Sequence, residues 1–188
     1  DISEKNTPYR FMMPDQNTFD KIMSSKGIGQ DTHVILYSRD NIQWATRVWW
    51  MLRSMGFNNA SILNGGFERW KYENKPITRD KVNYPKNIFK SVPKNGYFCS
   101  KEEVKKYITN NNVSIINALR KSLHNGTFSV DYGRPGHIKN SINIPSSDMV
   151  DDETKLYKPL NELEEIFKQY NLLKKEKVIA YCGGGIAA

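Results

Sequence analysis

The sequence predicts an α/β fold in two copies, each a mostly parallel sheet flanked by helices. Three observations predict it. Apolar stripes at helical spacing alternate with short aliphatic runs, the order of elements in a parallel sheet. The run Val34-Ile35-Leu36-Tyr37-Ser38 corresponds to Val178-Ile179-Ala180-Tyr181-Cys182, and the match extends back without a gap to Phe19-Asp20-Lys21-Ile22 over Leu163-Glu164-Glu165-Ile166. The second copy's strand then runs into a cysteine and three glycines, at the strand end where α/β proteins bind ligands.

The elements follow in order. Phe19 and Ile22 mark a first helix and Val34 to Tyr37 a strand. Residues 41–55 carry Ile42, Ala45, Val48, Trp49, Leu52 and Met55 as a helical stripe, and Gly56 is placed to end it. Ala60-Ser61-Ile62-Leu63 predicts a strand, Asn64-Gly65-Gly66 a turn, and 67–72 another helix. Pro76, Pro85 and Pro93, with no sustained period between them, predict a linker over 79–95. It separates a first domain, 1–78, from a second, 96–188. The second opens at Ser100-Lys101-Glu102-Glu103, a capping-box pattern, with Val104, Tyr107 and Ile108 as the apolar face. Val113 to Ile116 is a strand, 117–140 an irregular stretch and 142–145 a short extended piece. Pro159 starts a helix carrying Leu160, Leu163, Ile166 and Phe167, and Val178 to Tyr181 predicts a strand covered on both faces. The helix and strand at 100–117 have no counterpart in the first copy, and the helix–strand–helix at 41–72 has none in the second. Both domains are therefore expected to be incomplete, the first without its opening strand and helix, the second without its last helix, strand and helix.

Composition narrows the function. With 188 residues, 38% hydrophobic and 26% charged, a globular protein is expected. No apolar run approaches the roughly 18 residues that a membrane span needs. The formal net charge of +8 points to anionic ligands, but the lysines are scattered and form no basic stripe, which argues against nucleic acid. Cys99 and Cys182 make no disulfide framework, and neither they nor His33, His124 and His137 have metal-ligand spacing, so no metal and no cofactor is expected. Unpaired cysteines suggest a reducing compartment, the cytoplasm by default, with the periplasm left open.

Cys182 is the candidate nucleophile. Glycines at Gly183, Gly184 and Gly185 let the backbone turn several N–H groups inward, a cradle that stabilises a thiolate and holds an anionic substrate. Ile186, Ala187 and Ala188 continue this loop. Cys99, without such a context, reads as a packing residue. A nucleotide-phosphate loop would need Gly-Lys-Ser/Thr, which is absent, and the phosphate-gripping arginine of a cysteine phosphatase would fall at Ala188.

These residues carry a family resemblance. Arg47-Val48-Trp49-Trp50-Met51-Leu52-Arg53, Leu63-Asn64-Gly65-Gly66-Phe67-Glu68-Arg69-Trp70, Gly136-His137-Ile138 with Ile142-Asn143-Ile144-Pro145, and the loop from Tyr181 to Ala188 resemble the hallmarks of the tandem-domain rhodaneses, the thiosulfate and 3-mercaptopyruvate sulfurtransferases. The resemblance implies two rhodanese-like domains and a persulfide formed on Cys182 from a small anionic sulfur donor, with cyanide or a thiol as acceptor. It implies that the first domain, with Ser38 in place of the cysteine, is non-catalytic, and that the site lies between the domains. His137 is a structural residue in the family's Gly-His-Ile motif. Leu119 and Leu123 stand where the family has arginines that bind the donor anion, which leaves Arg120, with its neighbour Lys121, and Arg134 as candidate anion contacts. The same departure keeps a persulfide carrier or an impaired binding module as the alternative to an enzyme.

Overall fold

The structure, a computed structural model, describes residues 2–128 and 133–188. It divides into two compact units, Asp1–Phe98 and Cys99–Ala188. In the first, the Asp15 carboxylate accepts from Thr18 N at 3.0 Å, satisfying an amide that the first turn of α1 (Gln16–Ser25) leaves free. Two strands, β1 (Val34–Leu36) and β2 (Ala60–Ile62), pair in parallel with Ile35 opposite Ser61. Helix α2 (Gln43–Ser54) connects them and α3 (Gly66–Tyr72) follows β2. The apolar stripes of α1 and α2 meet: Phe19, Met23, Met51 and Leu52 are buried together with Met55, Phe57 and Phe89. Of the two adjacent tryptophans on α2, Trp49 donates to Ala60 O at 3.1 Å and Trp50 to Tyr97 O at 3.0 Å.

Phe89 lies in the segment expected as a linker. That segment has no helix or strand, yet it is part of this unit. The Phe89 ring is 3% exposed and sits 5.9 Å from Phe19 and 5.3 Å from Phe57, centroid to centroid. Val92 N donates to Met55 O at 2.9 Å and Lys94 N to Ser54 O at 2.7 Å. Gly56 makes room for this return: its φ is +80°, and a Cβ there would come within 2.5 Å of Val92 O. One buried aromatic in an extended segment leaves no periodic trace, so the prolines dominated the sequence pattern.

In the second unit Ser100 caps α4 (Lys101–Tyr107) as its sequence predicts. Ser100 Oγ accepts from Glu103 N at 3.2 Å, and Glu103 Oε2 accepts from Ser100 N at 2.8 Å. Strand β3 (Val113–Asn117) is central. A one-turn helix, α5 (Lys121–His124), lies within the stretch expected to be irregular, of which residues 129–132 lie outside the described residues. Strands β4 (Ile142–Asn143) and β5 (Lys177–Tyr181) flank β3 in parallel, and Asn117 is opposite both Asn143 and Tyr181. Ile116, Ile144 and Leu172 form the core, against Ile166 and Phe167 of α6 (Leu160–Gln169). The expectation that β5 is covered on both faces is corrected. Ile179, opposite the buried Ile115, is 7% exposed, but Val178, opposite Ser114 on the other face, is 44% exposed, so only the Ile179 face is closely covered.

Candidate active site

Asn117 and Tyr181 end adjacent parallel strands at the same level. Ala118 N donates to Tyr181 O at 2.9 Å, one residue past the regular ladder. Cys182 therefore emerges where the sheet stops, half-buried. The chain then turns back on the sulfur. Gly185 adopts a φ of +76° and its N–H donates to Cys182 Sγ at 3.0 Å. A side chain at that φ would be strained, so glycine is what lets this amide reach the sulfur.

The sulfur opens on a cavity of about 650 Å³ at this edge of the sheet. Tyr181, Cys182 and Gly183 line it together with Arg134, His137 and Lys139 and with Leu119, Leu123 and Phe128. Among the described residues no carboxylate lines it, so the cavity has a positive bias. Leu119 and Leu123, where the family resemblance puts arginines, do face the cavity of Cys182, and they make that part of it apolar.

The expected anion contacts separate. Arg134 shares the cavity with Cys182. Arg120 does not line it: its guanidinium lies 4.3 Å from the centroid of the Phe128 ring, and it lines a neighbouring cavity of about 570 Å³ with Lys121 and Asp148. Arg120 is the cap before α5, with extended backbone (φ −56°, ψ 152°), where the side chains of successive residues point apart, so it faces away from Leu119. Of the glycine-rich loop, Gly183 lines the cavity and Gly185 acts through its N–H, while Gly184, Ile186, Ala187 and Ala188 are not among the lining residues.

His137 lines the cavity but is engaged elsewhere. Its Nδ1 is 2.8 Å from His124 O, so that nitrogen carries a proton, and the two imidazoles stack at 3.8 Å with 13° between their planes. His124 Nδ1 is buried and has no hydrogen-bond partner among the described residues. Burial first, and the neighbouring His137 second, hold His124 below the ordinary histidine value of 6.5.

Two features escaped the sequence reading. Lys139 lines the cavity, and its signal was available, a basic residue directly after the Gly-His-Ile motif. The other is the Tyr181 hydroxyl, which accepts from Asn117 Nδ2 at 3.0 Å and from Ile138 N at 2.9 Å and lies 2.9 Å from Ser141 Oγ. In the first unit the matched position is Ser38. Its carbonyl accepts from Phe67 N at 2.9 Å, and Gly66 packs so closely that a Cβ there would meet Ser38 O at 2.6 Å. Among the described residues there is no cluster suited to hold a metal ion, and no helix is long and apolar enough to cross a membrane.

The chain is 30% identical to mouse 3-mercaptopyruvate sulfurtransferase over 99% of its length and 28% identical to chicken thiosulfate sulfurtransferase over 98%, and it spans 64% of the length of each. Its fold superposes on the crystal structure of SseA from Escherichia coli, described as a 3-mercaptopyruvate sulfotransferase, with a TM-score of 0.87. That match has 30% identity and covers 99% of this chain and 70% of the other. A family model for the rhodanese-like domain matches residues 2–73 and 100–188, one match on each copy of the repeat. The chain belongs to the family of rhodanese-like domains.

Proposed function

We propose that the protein is a sulfurtransferase, moving a sulfane sulfur from thiosulfate or 3-mercaptopyruvate to cyanide or a thiol through a persulfide on Cys182. The observation that carries this reading is a half-buried sulfur at a strand end, bonded by Gly185 N–H and facing a cavity that no carboxylate lines among the described residues. With thiosulfate, the Cys182 thiolate attacks the outer sulfur, the S–S bond breaks, and sulfite leaves with the electron pair. The acceptor then attacks the outer sulfur of the persulfide and returns the thiolate, so cyanide leaves as thiocyanate. The Gly185 N–H, bonded to Sγ, is the loop group placed to stabilise negative sulfur before and after transfer. Arg134 and Lys139 attract the donor, and Cys182 alone reacts covalently. The first unit, with Ser38 at the matched position, has no sulfur to carry.

Replacing Cys182 by Ser tests this. Wild-type protein given either donor should gain the mass of one sulfur on the Cys182 peptide and turn over cyanide. Cys182→Ser should do neither, and thiocyanate production at the wild-type rate in that variant would remove the reading. A second reading, a persulfide carrier, draws on Leu119 and Leu123 lining the cavity in place of donor-binding arginines. A carrier would load one sulfur per chain and stop, so multiple turnovers in the same assay decide between the two.

A further inference from the structure

The cations of the Cys182 cavity sit on a segment that has no helix or strand of its own. Residues 133–139 carry Arg134, His137 and Lys139, and Gly133 and Gly136 within it have φ values of +93° and +108° with open space where a Cβ would be. No side chain at those two positions holds the segment. Its middle is held by His137, bonded to His124 O and stacked on that ring, and its far end, at Ile138 and beyond, by hydrogen bonds.

The Tyr181 hydroxyl is the centre of these bonds. Asn117 Oδ1 accepts from Leu119 N at 2.9 Å, which orients the amide so that its Nδ2 faces the phenolic oxygen. Ile138 N also donates to that oxygen. A phenolic oxygen has one proton to give. With both its acceptor positions taken, that proton goes to Ser141 Oγ. These contacts are half-buried and Asn117 is 1% exposed, so an unmade bond at Asn117 leaves a polar group without water. One side chain therefore ties the end of β3, the backbone of the cation-bearing segment and the chain entering β4 to the residue directly before Cys182.

We propose that Tyr181 is the positioning residue that gives the Cys182 cavity its preference for anions, by holding the segment of Arg134 and Lys139 at the mouth through Ile138 and Ser141. Tyr181 itself takes no part in bond making. The proposal rests on the reading of Cys182 as the sulfur that meets an anionic donor, and it deepens that reading by naming what sets the charge selectivity.

Alkylation tests it without requiring sulfur transfer. Iodoacetate and iodoacetamide attack the same thiolate with almost the same shape, one charged and one neutral, and the rate at Cys182 is followed by mass spectrometry of its peptide, separately from Cys99. The ratio of the iodoacetate rate to the iodoacetamide rate reports attraction of anions and cancels the reactivity of the thiolate. Tyr181→Phe should lower that ratio by about fivefold, the scale of a partly screened charge contact, and should leave the iodoacetamide rate within error of wild type. The double variant Arg134→Gln, Lys139→Gln, with the tyrosine intact, should reproduce the fall. A ratio unchanged in Tyr181→Phe overturns the proposal. So does an equal loss with both reagents, which would mean the sulfur itself had been disturbed. If Tyr181→Phe yields no folded protein, Ser141→Ala carries the same test, since it removes the acceptor of the phenolic proton and leaves β5 untouched. A lower ratio supports the proposal and an unchanged one overturns it. A chain that alkylates as expected but transfers no sulfur would refute the enzyme reading and leave this one standing.

Discussion

At His124 a single ring nitrogen sets a dependence on pH. Its Nδ1 is buried without a hydrogen-bond partner among the described residues, and its neighbour is another imidazole, stacked at 3.8 Å. Folding thus favours the neutral ring, so near and below pH 6.5 the unfolded chain binds more protons than the folded one. This contribution is fully present above that value and is lost as pH falls through the lowered range. The thermal midpoint of wild-type protein should therefore drop between pH 7 and pH 5 more than that of His124→Gln, and parallel curves for the two proteins would contradict the assignment. Residues of this kind were not legible in sequence. Cys182 was, because a cysteine followed by glycines is a local pattern. His124 next to His137, and Tyr181 bonded to Ile138 and Ser141, join positions far apart in the chain, and no spacing rule anticipates them.

Among the elements, the best-read are those whose causes are local. The start of α4 follows from Ser100 and Glu103 alone, and its reciprocal bonds at 3.2 and 2.8 Å are those the motif requires. Ser100→Ala should cost about 1 kcal/mol, read as a shift of the urea midpoint with unchanged slope, and no shift would mean that the cap is not formed in solution. Strand β5 was placed correctly, but its exposure was not. A run of apolar residues describes a strand without telling whether one or both faces are covered, and Ile179 is buried on one face while Val178 is exposed on the other. The short α5 was missed because one turn of helix has too few residues to show a period.

At the scale of the whole chain, the repeat was legible and the edges of the units were less so. Two copies of helix, strand and loop can be read by sliding the sequence on itself, and each has a matched residue just after its strand, Ser38 or Cys182. The division at Phe98 is hidden because the segment before it has an irregular backbone and yet contributes Phe89 to the first core. Phe89→Ala should destabilise that unit by about 3–5 kcal/mol, while Tyr84→Ala in the same segment, at a side chain 71% exposed, should change little. Trp44, Trp49, Trp50 and Trp70 all lie in the first unit, so tryptophan emission during urea unfolding follows it selectively. Equal midpoints for the two variants would make 79–95 a linker after all.

The Ile138 N–H bonded to the Tyr181 hydroxyl trades its proton with solvent only when the segment beside the cavity lifts away. Its exchange lifetime is therefore a clock for how long Arg134 and Lys139 stay beside the sulfur, kept by the residue that precedes Cys182 in the chain.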